Sequence, residues 1–453
     1  MQNHYIGGDR MKNRRWLLGF LSLFILLMVT TVGYIYYYVS KWENKIYPNS
    51  YVENIDISGL SLEEAQNLLS KNYNNLSTEK IIAVYEKQEY PISFKDMKIN
   101  IDAPKCLNKA FSYGKDKNFI NKYIELKSKK KKQYNLEFTF DEAAVRECIE
   151  NIKKAVDIAP QNAKIKIENG TPVVIKEVVG KTVEKDILFN DIIDKISKYG
   201  TGDNKVTITV KTENPTLKAE DLKDVNYKVS SATTYFSTET KGRAYNIALA
   251  ASKLNGKIVM PGEEFSFNKE TGKRTLANGF KGAPVIVNSR LVDGVAGGVC
   301  QVSTTLYNAV IRLGIKSTSR RNHSLVPAYI EPGLDATVSE SIDYKFKNTS
   351  KYPLYIEGVT GKGKITINIY SHKSLTEVQY KLYSEILDVE EPKIYYNTVD
   401  SLPSGTIKKV QAPVTGYKVN VYLIGYKNGK EISRELISKD NYEKVDGIYN
   451  IGL

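Results

Sequence analysis

The chain has 453 residues, 42% hydrophobic and 26% charged, which is enough apolar material for roughly two to four packed domains and too much for wholesale disorder. Three cysteines exclude a disulfide framework, and three histidines leave little for a structural zinc site, so neither a metal nor another cofactor is expected. The net charge of +14 comes from 54 lysines and only eleven arginines. Nucleic-acid binders lean on the arginine fork, so this excess points away from nucleic acid and toward an anionic membrane surface or wall polymers.

Lys12, Arg14 and Arg15 precede an uncharged apolar run over residues 16–39. At about 1.5 Å per residue the run exceeds the ~30 Å hydrocarbon thickness of a bilayer. The positive flank predicts a cytoplasmic tail over residues 1–16, carrying His4, a single-pass anchor over 17–39, and the bulk of the chain extracellular. The alternative is a cleaved signal peptide. Against it, the run is longer than an h-region of about 7–15 residues, and the bulky sequence over 36–42 suits no small-residue cleavage site.

Residues 40–79 read as a stalk leading into a strand and a helix, with Ser61 and Glu64 spaced as a capping box. From about 80 to 212, within a block that runs to 228, a loose internal repeat is expected. Its first unit has strands at 81–85 and 91–101, then a helix from Asp102 to Tyr113-Gly114. The second has strands at 163–168 and 171–178 around the turn Asn169-Gly170, then a helix from Asp186 to Tyr199-Gly200. In each unit an Asp can cap the helix start. The run Lys129 to Lys132 predicts a solvated loop. Cys106 and Cys148 read as small core residues on helices, a mutual disulfide being the alternative.

The chemistry concentrates between 229 and 372. A helix over 243–254 closes at Asn255-Gly256, and Pro261 to Asn268 reads as turn plus strand. Gly297-Gly298-Val299-Cys300-Gln301 then leads into a helix whose Val302, Leu306, Ala309, Val310 and Leu313 share a face, ending at Gly314. Cys300 therefore falls in the first turn of a buried helix. Free N–H groups and the helix dipole favour its thiolate there, and the preceding glycines let backbone N–H groups approach a developing oxyanion. His323 is the candidate proton shuttle, because His4 is expected in the cytoplasm and His372 lies in the seam after this block. Asp335, expected on an adjoining strand, is the candidate group to orient the imidazole. The alternative is a packing cysteine and a solvated histidine.

Residues 229–372 resemble the VanW family of Gram-positive surface proteins. The resemblance rests on Arg243, Asn246-Ile247, Leu254-Asn255-Gly256, Pro261-Gly262-Glu263 and Phe265-Ser266-Phe267-Asn268. It extends through Gly297 to Ala309, Arg321-Asn322-His323-Ser324 and Gly333 to Val338. Residues 80–228 are similar to a peptidoglycan-binding domain that often precedes VanW, and 373–453 to a small β domain of the G-five type, on Gly405, Gly416 and Gly429. The resemblance implies a membrane-anchored L,D-transpeptidase that cross-links peptidoglycan stem peptides through a cysteine thioester. By that resemblance Cys300 is the nucleophile, His323 the base and Asp335 the orienter. Gly298, Val299 and Gln301 would serve the oxyanion, and Arg321, Ser324 and Arg243, with Arg320 also considered, the substrate. The Ser-His-Gly-Cys signature of the better-known L,D-transpeptidase domain is absent, so the fold is expected to differ. A carboxypeptidase or endopeptidase on the same stems, and a non-catalytic wall binder, remain open. The expected fold class is α+β multidomain: a transmembrane helix, a strand/helix repeat domain, an α+β VanW-like catalytic domain and a small all-β C-terminal domain, with antiparallel sheets.

Overall fold

The apolar run near the start of the chain folds as one helix, α1 (Asp9–Ser40). Its 27 residues from Arg14 to Ser40 are long and apolar enough to cross a membrane, and its apolar side chains from Trp16 to Val32 are exposed. The hydroxyls of Ser22, Thr30 and Thr31 donate to carbonyls three or four residues back at 2.6–3.0 Å, which satisfies them without water. The chain is seen here as a computed structural model that describes residues 9–199, 202–287 and 290–453. His4 and Gly200 lie outside the described residues.

Residues up to 160, with 179–214, form one unit; residues 161–178, with 215–453, form the other. In the first unit, α2 (Leu62–Asn72) starts at the predicted capping box, with Glu64 N–H on Ser61 Oγ at 3.2 Å and Ser61 N–H on Glu64 Oε2 at 2.8 Å. It packs with α3 (Ala103–Ser112) around Val52, Ile57, Leu69, Cys106 and Leu107. The helix α4 (Phe119–Lys127) follows, with Leu126 buried beside Val39 of α1 and Tyr47. A second core joins α5 (Glu142–Val156) and α6 (Lys185–Ser197) to strands Lys80–Tyr85, Gln88–Ser93 and Lys205–Thr207.

Several expectations change in this unit. Lys205–Thr207 pairs parallel with Lys80–Tyr85, and Ser50–Val52 parallel with Lys132–Tyr134, so the sheets are mixed rather than antiparallel. The repeat is not structural: the hairpin of Lys164–Glu168 and Thr171–Ile175 turns at Asn169-Gly170 as expected, but it groups with the second unit, packing near Leu222, Tyr355 and Tyr370. Asp186 does not cap α6, whose N-cap is Glu184 without a side-chain bond. Lys132 is not solvated. It is buried on a strand, its Nζ donates to Pro48 O at 3.1 Å, and burial pulls its pKa down. Cys106 and Cys148 are free thiols.

In the second unit, α7 (Ala219–Leu222) precedes a four-stranded antiparallel sheet ordered Tyr227–Tyr235, Lys364–Ser371, Leu354–Gly361, Lys257–Val259. Its inward residues Ile356, Ile365, Ile367 and Ile369 are fully buried under α8 (Lys241–Leu254) and α10 (Val299–Ile311), which pack side by side. Phe267-Asn268 do not extend the preceding strand; Ser266 caps a short helix, α9 (Phe267–Thr271). The C-terminal residues form two three-stranded sheets, ordered Gln379–Glu390, Gly416–Lys427, Lys430–Tyr442 and Ile394–Val399, Gly447–Gly452, Ile407–Gln411. The whole is mixed α/β and multidomain, with a β-rich C-terminal region.

The strand Leu354–Gly361 shows how closely α8 lies on the sheet. A Cβ at Gly358 would sit 2.6 Å from Ala251 O, a backbone atom that cannot swing away, whereas one at Gly361 would meet nothing within 4 Å. Thermal denaturation of Gly358→Ala is therefore expected to show a loss of about 1–3 kcal/mol, with Gly361→Ala close to unchanged; equal effects would mean that the helix does not press on the strand.

Candidate active site

The site begins with a backbone requirement. Gly298 is the N-cap of α10 with φ +103°, a left-handed conformation that favours glycine. A Cβ there would lie 2.9 Å from Arg243 Cγ, and one at Gly297 would lie 2.3 Å from Pro284 O. The paired glycines thus let the start of α10 press against α8 and the strand Gly282–Val287. Cys300 follows in the first turn, as expected, and is partly exposed.

The buried helix α10 carries two polar stripes besides its apolar face. Cys300, Thr304 and Asn308 recur every four residues and hold successive positions of an extended loop. Cys300 Sγ lies 3.3 Å from Val338 O and 3.5 Å from Val338 N, Thr304 Oγ1 accepts Ala336 N–H at 3.0 Å, and Asn308 Nδ2 donates to Leu334 O at 2.7 Å. This stapling fixes Asp335 between Leu334 and Ala336. Asp335 lies in that loop and not on a strand. The second stripe holds Gln301, fully buried, whose Nε2 donates to Thr234 Oγ1 and Tyr235 O, both at 2.9 Å, while its Oε1 accepts from Arg243 Nη2 at 2.6 Å.

Asp335 is itself fully buried, and its carboxylate accepts four hydrogen bonds. His323 gives two of them to Oδ2, from its backbone N–H at 2.7 Å and its ring Nδ1 at 2.5 Å. Oδ1 receives the Tyr442 hydroxyl at 2.5 Å and Arg320 Nη2 at 3.3 Å. Arg320 also bonds Asp440 Oδ2 at 2.6 Å, Asp335 O at 2.7 Å and Gly333 O at 3.1 Å. Its side chain is 8% exposed, so Arg320 is a buried ion-pair hub and not the carboxylate clamp considered for it.

The electrostatics follow from these contacts. Burial opposes ionisation of Asp335, but the hydrogen bond and charge of His323, with Arg320 and Tyr442, hold its carboxyl below the ordinary range. Burial likewise opposes the imidazolium, yet the Asp335 and Cys300 side chains together raise the His323 pKa to about 9. With Nδ1 on Asp335, Nε2 is the ring nitrogen left for the sulfur. Burial of Cys300 would raise its pKa; the hydrogen bond and charge of His323, the Val338 N–H and the Arg274 charge bring it below its usual value. Cys106 is the contrast, pushed up to about 11 by burial.

The structure brings Cys300, His323 and Asp335 together. Among the expected oxyanion donors, Val299 N–H is taken by Ala296 O and Gln301 N–H by Gly298 O, which leaves Gly298 and Cys300 without a backbone acceptor among the described residues. Gln301 points its side chain into the core, where it bonds Thr234 and Tyr235. Arg243 lies beside Gly298, bonded to Gln301, with its guanidinium 5.9 Å from the Tyr329 ring centre. Ser324 is exposed, and its carbonyl accepts Glu443 N–H at 2.7 Å. Arg321 opens on a polar cavity of about 530 Å³ with Lys316, Asn322 and Lys439, a cavity that neither Cys300 nor His323 lines. Among the described residues no group of three or more His, Cys, Asp or Glu could hold a metal ion.

Sequence reasoning missed Tyr442, Asp440 and Arg274. Asp440 and Tyr442 alternate on one strand and so share a face, the one local signal they carry. Arg274 Nη2 donates to Ser339 O at 2.7 Å, next to the Val338 that touches the sulfur. His372, set aside above, stacks on Tyr352 with ring centres 4.3 Å apart.

Three family models match the chain: "VanW like protein" over residues 242–370, "Putative peptidoglycan binding domain" over 90–205, and "G5 domain" over 386–453. The chain is 38% identical over 175 residues to the uncharacterized protein YoaR of Bacillus subtilis (strain 168), covering 38% of this chain and 58% of that protein. It is 29% identical over 149 residues to the vancomycin B-type resistance protein VanW of Enterococcus faecalis (strain ATCC 700802 / V583), covering 31% and 54%. The chain thus spans a little over half the length of either relative. A solved G5 domain of an IgA1 protease is 23% identical over 17% of this chain and 90% of that one, with a TM-score of 0.14. The chain therefore carries a VanW like domain, which holds Cys300, His323 and Asp335, together with matches to a peptidoglycan-binding family and a C-terminal G5 domain.

Proposed function

We propose that this protein is a membrane-anchored, extracellular L,D-transpeptidase that cross-links peptidoglycan stem peptides. One observation carries the reading: a partly exposed cysteine at a helix start is coupled to a histidine whose other ring nitrogen is fixed by a buried carboxylate. That is the arrangement an activated thiolate requires. The thiolate of Cys300 attacks the carbonyl of the third stem residue, and an S–C bond forms. The Gly298 and Cys300 N–H groups stabilise the oxyanion, one such donor contributing roughly 10²–10³ in rate. As the C–N bond breaks, the His323 imidazolium gives its proton to the departing D-alanine amine. The neutral imidazole then takes a proton from the acceptor amine, which attacks the thioester and restores the thiolate. Amide is exchanged for amide, so no ATP is consumed. Arg243, with one Nη on Gln301, keeps the rest of its fork for a stem carboxylate.

An uncleaved anchor is supported by the last turns of α1, which are part of the fold. Val39 is buried with Tyr47 and Leu126, and Tyr38 stacks edge-on to Tyr123 at 5.5 Å. Cleavage after the apolar run would remove those partners. The peptidoglycan-binding match and the G5 match support a wall location for the rest.

Stem tetrapeptides incubated with the detergent-solubilised chain and followed by mass spectrometry test the reaction. A cross-linked dimer with loss of D-alanine is expected from the native chain and not from Cys300→Ala. A trimmed tripeptide alone would mean hydrolysis, and unaltered peptide with chain retained on sacculi would mean a binder. The pH dependence provides a second check. With the Cys300 pKa lowered and that of His323 raised to about 9, kcat/KM is expected to hold through neutral pH and to fall as the imidazolium loses its proton near 9. Because Asp335 raises the His323 pKa, Asp335→Asn is expected to move that alkaline limb to lower pH and to reduce kcat/KM by about 10²–10⁴. An unmoved limb would contradict the assignment.

A further inference from the structure

The helix α4 leaves apolar surface exposed beside α1. Phe119, Ile120 and Ile124 are 37%, 52% and 59% exposed, and at 100° per residue they span one arc of about 140° together with Tyr123 and Lys127. The opposite side carries Lys122, paired with Glu43, and Glu125, paired with Lys117. Phe119 shares an apolar groove with Met28, Val29, Val32, Gly33 and Tyr36 of α1. After the helix come Lys129, Lys130 and Lys131, all exposed.

The level of this helix follows from α1. Trp16 and the cluster Tyr34, Tyr36, Tyr37 and Tyr38 place aromatic rings at both ends of the apolar run, as membrane interfaces favour. Their separation along the helix, about 27 Å from residue 16 to residue 34, matches the ~30 Å hydrocarbon layer. The Tyr123 ring sits against Tyr38, and the Lys127 ammonium lies 4.2 Å from the Tyr38 ring centre. The helix α4 is therefore level with the outer aromatic belt, where its apolar arc meets acyl chains.

We infer that α4 and the three lysines after it form a membrane foot beside α1. Phe119, Ile120 and Ile124 occupy the headgroup–acyl boundary of the outer leaflet, and Lys129, Lys130 and Lys131 face anionic headgroups. A short amphipathic helix and a basic run are each weak membrane ligands, but beside a spanning helix they act at high effective concentration. The foot fixes the height and tilt of the first unit above the bilayer. The inference rests on the reading of α1 as an uncleaved anchor.

The test uses the full chain with Cys148→Ser and Cys300→Ser, reconstituted in vesicles of phosphatidylcholine and phosphatidylglycerol. An environment-sensitive fluorophore is attached in turn at Ile124→Cys, Val29→Cys and Ile187→Cys, the last a 41% exposed residue of α6. Lipids carrying a quencher just below the headgroup are expected to quench the Ile124→Cys probe at least about twofold more than the Ile187→Cys probe. Quenching at Val29→Cys without quenching at Ile124→Cys would overturn the foot while leaving the anchor. No quenching at Val29→Cys would overturn the anchor, and the foot with it. An Ile124→Cys probe shielded from water yet unquenched by lipid would mean a protein partner or a second copy on that face, which also overturns the inference.

Discussion

The second unit is organised around one buried negative charge. A carboxylate removed from water costs several kcal/mol unless it is paired and hydrogen-bonded, and Asp335 is fully buried. Its two oxygens take donors from His323, Arg320 and Tyr442, and the arginine carries the remaining charge on to Asp440. Removal of any one partner leaves the others desolvated and incompletely satisfied, so the group behaves as a unit. The orientation of the His323 ring, and through it the ionisation of Cys300, depends on this network.

The same network makes the C-terminal β region part of the site. Tyr442 and Asp440 lie on the strand Lys430–Tyr442, while Asp335 and Arg320 belong to the VanW like segment. Gly333 completes the join: its N–H donates to the Tyr442 hydroxyl at 2.6 Å, and a Cβ there would strike Val421 Cγ2 at 2.6 Å. Buried polar side chains of the C-terminal strand Lys430–Tyr442 thus satisfy a carboxylate of the VanW like segment and the arginine paired with it.

Much of this was legible locally, and the limits were physical. The capping box at Ser61 and Glu64, the Asp102 cap, the Asn169-Gly170 turn and the start of α10 at paired glycines are short-range features. So is the position of Cys300, because helix periodicity and glycine placement define it. The partners of Asp335 were hidden, since Tyr442 is 107 residues away and Asp440 is 120 from Arg320, and no local pattern encodes such pairings. The hairpin 164–175 misled for a related reason: its alternation specifies a hairpin but not the core it covers. Lys132 misled because three exposed lysines precede it, while its own burial is set by pairing with a distant strand. The polar stripe Cys300, Thr304, Asn308 could have been read from its spacing, but its purpose appears only with the loop it staples.

The central claim is that His323, facing the Cys300 sulfur, holds its pKa below that of an ordinary thiol. Alkylation of the native chain with iodoacetamide at pH 7, read residue by residue by mass spectrometry, measures this directly. Cys300 is expected to react far faster than Cys106, and His323→Gln to slow it by about 10-fold or more. Equal rates at the two cysteines, or a Cys300 rate indifferent to the loss of the imidazole, would contradict the account.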